Sequence, residues 1–479
     1  MASTFHGLEV GRRGLFAQQM ALNTTGHNIA NANTNGYTRQ RVEMQASNPI
    51  STAGVKLGTG VEISKLVRLR EEYLDVQIRG ELKNTGYWEA KSETFSKIEE
   101  LLNEPSDNGL ARTMDEFWKG WQELANHPES AAARSVVRQR GVAVAETFKH
   151  IMDSLNQIES DLKNVIDTKT NEINSLAKQI GNLNAQISRV VPNNYQPNDL
   201  YDQRDVLIDQ LSKLVNVKVT SGENGMVDVT VGSAKLISGK DYNTLSLGYD
   251  QATGLLNPSE FKIGGNTIAL DGGELVGYIE SFGKMNGGDL NVLPKMKNAL
   301  NELAKAFADE VNKVHLNGMN LDNIEGKSNQ KVEFFVGTNA SDINVHPDIM
   351  KSLNLIAAAI EEAPGKSSSG NGKNAQAMAD IKFGTINIGG SDTSVSDFYR
   401  NIIGQLGIDS QESQRMLENS ELIVKQVENR RQSVSGVSLD EEMTNMIKFQ
   451  QAYNASARMV TVMDQCLDKI INGMGRVGL

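Results

Sequence analysis

Residues 144–165 read VAETFKHIMDSLNQIESDLKNV, and in them Val144, Phe148, Ile151, Leu155, Ile158, Leu162 and Val165 recur at alternating four- and three-residue spacing. Positions three and four apart share one face of a helical turn, so this is the seam of a long helix. Ile173, Leu176, Ile180, Leu183, Ile187 and Val190 resume the pattern after a one-residue slip near Lys169. Pro128 and Pro192 bracket the run; proline lacks the N–H that a helix interior needs. Gly141 and Gly181 weaken the helix locally without ending it. About 60 residues at a rise of about 1.5 Å predict a rod on the order of 90 Å long.

Outward from this rod, 73–102 and 110–125 also read as helices, the second carrying Trp118 and Trp121 as core residues. Helix returns at 293–316 and at 411–434, where Met416, Ile423 and Val427 fall on one face. Past Leu214 the period changes. Val215, Val217 and Val219 alternate with polar residues, Ser221-Gly-Glu-Asn-Gly makes a turn, and Met226-Val-Asp-Val-Thr-Val follows. Further short runs are broken by Gly239-Lys-Asp, Gly264-Gly-Asn and Asp271-Gly-Gly, which predicts a small β domain over 216–290. The segment 361–374, with Gly-Lys-Ser-Ser-Ser-Gly-Asn-Gly, has the composition of a flexible loop.

The two ends carry stripes of their own. With Met443 as position a, the a/d positions are Met443, Met446, Gln450, Tyr453, Ala457, Val460, Asp464, Leu467, Ile471 and Met474. Gln450 and Asp464 interrupt the apolar run and are expected to set register. The first 30 residues offer a weaker stripe, Phe5, Leu8, Leu15, Leu22 and Ile29, interrupted by Arg12, Gln19 and Gly26. Stripes this narrow do not hold an isolated helix in water. Each terminal helix therefore needs a partner, the simplest being the other terminal helix and further copies of the chain. The expected fold is mainly α with a β insertion: long coiled-coil-like helices, N- and C-terminal helices co-packed, and a small β domain inserted mid-chain. The division expected is 1–72 with 435–479, 73–215 with 291–434, and 216–290.

The chain has 479 residues and a net charge of −11, with no basic run longer than the pairs Arg12-Arg13 and Arg430-Arg431. That balance argues against nucleic acid as a partner, and the Arg pairs read as solvated helix faces. No stretch approaches 18 uninterrupted apolar residues, so no membrane span is expected. The single cysteine, Cys466, excludes an internal disulfide framework and reads as a small buried hydrophobe. The first ten residues have no basic start, apolar stretch or cleavage site, so no secretory signal is expected. Gly473-Met-Gly475-Arg-Val-Gly478 matches a dinucleotide-binding spacing, but it follows a helix instead of a strand. His6, His27, His127, His150, His315 and His346 include no metal-binding i,i+4 pair. Asp199, Asp202, Asp205 and Asp209 admit an acid/base or cation site, against the plainer reading of a solvated helix N-terminal region. No catalytic residue, cofactor or metal is expected.

Residues 21–39 read Ala-Leu-Asn-Thr-Thr-Gly-His-Asn-Ile-Ala-Asn-Ala-Asn-Thr-Asn-Gly-Tyr-Thr-Arg. This resembles the N-terminal signature of bacterial flagellar axial proteins, the rod, hook and hook-associated group. Asn35-Gly36 permits positive φ and turns the chain into an extended segment from Tyr37. Three further passages are most similar to the members that join hook to filament: Trp121-Gln-Glu-Leu-Ala-Asn-His-Pro with its following helix, 200–217 from Leu-Tyr-Asp-Gln-Arg-Asp, and 435–464 from Ser-Gly-Val-Ser-Leu-Asp-Glu-Glu-Met. The resemblance spans nearly the whole chain outside 216–290. It implies a non-enzymatic adaptor of the flagellum, exported unfolded through the flagellar type III apparatus without a cleaved signal. Its implied partners are copies of itself in a ring, the hook protein on one side, a second hook-associated junction protein on the other, and an export chaperone on the C-terminal region.

In residue terms the packing positions are Phe5, Leu8, Leu15, Leu22, Ile29, Met443, Met446, Tyr453, Val460, Leu467 and Ile471. Two states fit: the stripes order on assembly, or the helices already pack within the monomer. The remaining alternatives are another axial component (hook or rod) and an added surface-binding role for the β insertion.

Overall fold

The computed structural model describes residues 5–52, 55–106, 109–193, 195–288 and 291–473. Helix α1 (His6–Ala30) leads into an antiparallel hairpin whose arms are β1 (Gln40–Ala46) and β4 (Val61–Arg68), with the short pair β2 (Ile50–Thr52) and β3 (Val55–Leu57) at its tip. Helix α2 (Glu72–Leu102) ends where Asn103 takes a left-handed conformation at φ 44°. Helix α3 (Leu110–Asn126) buries Leu110, Met114, Phe117, Trp118, Trp121 and Leu124 on one face.

The predicted rod is α4 (Ala131–Val190), one uninterrupted helix of 60 residues. The Ser130 side chain accepts from the Ala133 N–H and closes its N-terminus. Val144, Phe148, Ile151, Leu155, Leu162, Ile166, Ile173, Leu176, Ile180 and Ile187 are buried. The slip expected near Lys169 is the ordinary drift of a 3.6-residue helix against a seven-residue repeat. No single long helix lies along this face. Helix α3 and later helices cover its first part, and α5 (Asn198–Leu214) and the β insertion cover its last.

The insertion begins as a four-stranded antiparallel meander, β5 (Val217–Ser221), β6 (Val227–Val231), β7 (Ala234–Ser238) and β8 (Asp241–Tyr242). A three-stranded sheet follows, with β10 (Leu256–Ile263) between β9 (Leu245–Tyr249) and β11 (Asn266–Thr267). Alternation in β6 buries Val227, Val229 and Val231. Asn184 of α4 donates to the Val227 and Gly239 carbonyls, and Asn174 pairs with the Leu245 backbone, which fixes both sheets on the rod.

The predicted span 216–290 needs a correction at its end. Residues 274–282 form α6 (Glu274–Phe282), all nine of them buried. Leu275, Tyr278, Ile279 and Phe282 do recur at helical spacing, but the run is only nine residues long and glycines flank it, so it read as a continuation of the short β runs. Those glycines have another use: Gly273 and Gly283 take φ of 88° and 117° at the helix ends. A Cβ on Gly277 would lie 2.6 Å from the Tyr87 carbonyl oxygen and 2.8 Å from Ala90 Cβ, so α6 lies close against α2.

Helix α7 (Val292–Asn317) and the small elements α8 (Leu321–Ile324), β12 (Phe335–Val336), β13 (Asn344–Val345), α9 (Pro347–Lys351) and α10 (Lys373–Asp380) complete the body. The segment before α10 is a loop, folded back by bonds from Ser367 and Asn371 to the Ile360 carbonyl. A hairpin of β14 (Ile386–Ile388) and β15 (Ser391–Thr393) turns on Gly389-Gly390, both at positive φ, as a two-residue turn between twisted strands requires. Helix α11 (Val395–Ser435) starts well before the predicted 411, capped by Ser394, whose Oγ accepts from the Asp397 N–H. It runs antiparallel to α2, with Tyr399 bonded to Glu104 and Arg431 beside Asp75. Tyr399, Leu406, Ser413, Ser420 and Val427 are buried at strict seven-residue intervals, so this pair is the coiled-coil-like element. Of Met416, Ile423 and Val427, only Val427 is buried; serines take two of the seam positions and Ile423 faces solvent. An elbow at Gly436 leads to α12 (Leu439–Asp468), which packs on α1.

Among the described residues the contiguous buried apolar core runs from Ala90 to Leu406. Phe117, Trp121, Phe307, Phe334 and Phe335 lie fully buried at its centre, with Phe334 and Phe335 rings 4.9 Å apart. The terminal pair contributes nothing to it. No helix among the described residues is long and apolar enough to cross a membrane.

Candidate assembly surface

Helices α1 and α12 run antiparallel, and α1 meets the seam with small residues, against Met463, Val460 and Ser456 of α12. A Cβ on Gly7 would overlap Met463, one on Gly11 would lie 2.8 Å from Val460 Cγ2, and one on Gly14 would lie 2.8 Å from Ser456 Oγ. The buried positions of α1 are Gly11, Ala17, Ala21, Thr24, Thr25 and Asn28. The leucine stripe expected to form the seam lies to its side: Leu8, Leu15, Leu22 and Ile29 are half-buried. Glycine and alanine let the helix axes approach, and the closer seam displaces the larger residues from its centre.

On α12, Leu467 is buried and Met446, Tyr453 and Val460 are half-buried. Met443 is 59% exposed, Ile471 66% and Phe5 56%. Met474 lies outside the described residues, as do Gly475 and Gly478 of the glycine triplet. Further large apolar side chains face solvent: Phe16 on α1, and Leu439, Ile447, Met459 and Val462 on α12, with Ile470 just beyond it. Leu439, Met443 and Ile447 follow a four-residue row, a spacing that the seven-residue frame started at Met443 splits apart. Cys466, expected to be buried, is exposed on the same helix. Burying one such side chain is worth about 1.5–3 kcal/mol, so these faces favour a partner that excludes water.

The chain turn behind this surface is tightly specified. Asn28 Nδ2 donates to the Gln40 carbonyl and to Glu442, its Oδ1 accepts from the Gln40 N–H, and Tyr37 donates to the same oxygen at 2.7 Å. Arg39 pairs with Glu441 at 2.6 Å and with Glu442 at 2.7 Å, and its N–H donates to the Ser435 carbonyl. The Asn-rich stretch thus ties the end of α1 to the elbow before α12.

Asp199 lies exposed in the first turn of α5, as a solvated helix terminus would have it, but the rest of the run does not. Asp202, Asp205 and Asp209 share one face of α5 and meet arginines from three other regions of the chain. Arg68 binds Asp202 and Asp205 at 2.8 Å each, Arg70 binds Asp205 at 2.9 Å and Asp75 at 2.6 Å, and Arg79 binds Asp209 at 2.8 Å. Arg431 reaches Asp209 at 2.6 Å, so it is no solvated helix arginine either. Asp202 also accepts from the Thr38 N–H, and Asp199 from Gln40. Burial raises Asp205, but Arg70 and Arg68 outweigh it and leave the carboxyl below its ordinary range. At Asp202 burial prevails over Arg68 and Thr38, and the carboxyl sits above that range. Only its own helix surrounds each Asp in the sequence; the partners arrive through the fold. Arg68, Arg70, Arg79 and Arg431 pair with Asp75, Asp202, Asp205 and Asp209 in one network. Among the described residues no group of three His, Cys, Asp or Glu is placed to hold a metal ion.

Three family models match the chain. One described as the flagellar hook-associated protein FlgK helical domain covers 95–335, one described as flagellar basal body rod FlgEFG protein C-terminal covers 429–473, and one described as flagella basal body rod protein covers 8–38. Flagellar hook-associated protein 1 of Bacillus subtilis (strain 168) is 41% identical over 99% of both chains. That of Escherichia coli (strain K12) is 28% identical over 96% of this chain and 98% of its own. The flagellar hook junction protein FlgK of Burkholderia pseudomallei shares the fold at a TM-score of 0.58 and 14% identity, over 75% of this chain and 100% of that one. The chain belongs to the flagellar hook-associated protein 1 family.

Proposed function

We propose that this chain is a structural protein of the hook–filament junction of the bacterial flagellum, stacking into a ring zone through α1 and α12. The observation that carries the reading is the terminal pair itself: it stands outside the main core and turns Phe16, Met443, Ile447, Met459 and Val462 to solvent. Copies of the chain cover these faces, with the hook protein on one side of the ring and a second hook-associated junction protein on the other. An export chaperone holds the C-terminal region beforehand, and the chain travels unfolded without a cleaved signal. The division into a terminal unit, 1–72 with 435–479, and a long-helix body, 73–215 with 291–434, is supported by the lack of any α1 or α12 residue in the main buried core. Its assembly role is architectural and calls on no catalytic group.

The test is deletion of the gene and rescue with wild type or with the double variant Met443→Asp, Ile447→Asp. Deletion is expected to give bare hooks with flagellin in the medium, and the double variant to fail to rescue while its monomer stays folded. Normal filaments after deletion overturn the junction reading. Full rescue by the double variant overturns the assignment of the face.

A further inference from the structure

We infer that the terminal pair is a stiff lever that rocks on the body about the contact of Gly36 with Val206, closing one of two flanking clefts as it opens the other. Two clefts meet along a single ridge. One, of about 640 Å³, has Asn31 facing Gln179 and Gln186 of α4; the other, of about 620 Å³, has Arg39 facing Glu428 and Gln432 of α11. Residues 34–37 and Val206 line both, so this short stretch of loop, lying on one side chain of α5, is the wall between them. At its crest Gly36 holds φ 76°, and a Cβ there would overlap Val206 Cγ2. The ridge rests on α5 through this contact, flanked by the Thr38–Asp202 and Gln40–Asp199 bonds, with open space on either side.

The remaining attachments suit a bearing. The terminal pair lies outside the main apolar core of the body, so tilting it leaves that core covered. Its links are polar: His27 and Gln40 to Asp199, the Thr38 N–H to Asp202, Asn198 to Gln40. Such bonds exchange with water at small net cost, unlike apolar contacts. The chain crosses the joint twice, between β4 and α2 and at the elbow beside Gly436, where a few residues absorb the change in backbone angle. The Arg68–Asp202–Asp205 pairs span the joint and limit the swing. The lever itself is stiff because the Gly7, Gly11 and Gly14 seam locks α1 on α12. A subunit with its terminal pair gripped by neighbours then still sets its body at more than one tilt.

The full-length monomer is the sample, in a Cys466→Ser background and at a dilution where copies do not associate. Spin labels are placed in pairs at exposed positions: Arg458 with Gln186 across the joint, Arg458 with Asn23 within the terminal pair, and Lys119 with Lys305 within the body. The expected result is a distance distribution across the joint at least twice as wide as either control, widening further with Asp205→Asn. A joint distribution as narrow as both controls overturns the lever. A wide Arg458–Asn23 distribution overturns it too, since the arm is then not stiff. Neither outcome depends on where the protein sits in the flagellum, so failure of this inference leaves the junction reading untouched.

Discussion

The body and the terminal pair solve the packing problem in opposite ways. In the body, Phe117, Trp121, Phe307, Phe334 and Phe335 leave almost no surface to water. In the terminal pair the seam is glycine, alanine and threonine, and the large side chains Phe16, Leu439, Met443 and Ile447 point outward. The body buries its large side chains within the chain; the terminal pair leaves its own to solvent, on the faces proposed to meet other copies. The same residue types are thus buried in one region and exposed in the other.

The largest effect that separates the two is expected from Trp121→Ala, a cavity in the aromatic cluster costing about 3–5 kcal/mol. The Trp121 Nε1 has no hydrogen-bond partner, so the loss is packing alone. Urea unfolding is expected to shift strongly, while hydrogen exchange in α12 stays unchanged below the transition; equal loss of protection in α12 means the two regions unfold as one. A pH effect comes next. His315 is fully buried, donating from Nδ1 to the Val332 carbonyl at 2.8 Å and accepting the Ala357 N–H at Nε2 at 3.0 Å. Burial drives its pKa down to about 4. The unfolded chain takes up this proton near pH 6.5 and the folded chain only near 4, so stability falls as pH drops across that window, by up to about 3 kcal/mol. Below the window no further loss comes from this group. His315→Gln is expected to flatten the dependence in the body, as read by denaturation midpoints at pH 7 and pH 4.5. The smallest effect is expected from Gly11→Leu, which drives a side chain into Val460 and costs about 1–3 kcal/mol of terminal packing. It lowers protection in α1 and α12 and leaves the Trp121 region unchanged.

The long helices were legible because their apolar spacing is local: α4 emerges from Val144 to Ile187 with its ends at the bracketing prolines. The meander of β5 to β8 was legible from alternating valines and glycine turns. Helix α6 was missed because Leu275, Tyr278, Ile279 and Phe282 carry the helical period over only nine residues, between glycines that also punctuate strands. The α11 seam was hidden because serines occupy two of its positions. At the terminal pair the sequence pointed to α1 and α12 as packing partners and to Val460 and Leu467 beside their contact, with Phe5, Met443 and Ile471 exposed and Leu8, Leu15, Leu22 and Ile29 half-buried. Hydrophobicity alone does not say that Gly7, Gly11 and Gly14 take the seam and expel the leucines beside it. The arginine–aspartate cluster was misread for a different reason: Arg68, Arg79 and Arg431 reach Asp205 and Asp209 only through the tertiary fold.

The order in which the chain acquires its structure follows from that cluster. Asn28 and Glu442 meet across 414 residues, and closing a flexible loop of that length costs on the order of 5 kcal/mol in chain entropy. Contacts so distant in sequence form slowly when nothing draws them together. The body removes that search. Once it folds, Arg70 and Arg431 both lie beside Asp75, and the two tails emerge as neighbours, one a helix and a hairpin, the other an elbow and a helix. The terminal pair then closes as a local event, last in time although its halves are the first and last helices of the chain. Folding in this sequence keeps the adhesive faces from forming until the body that will hold them apart from other chains is already in place.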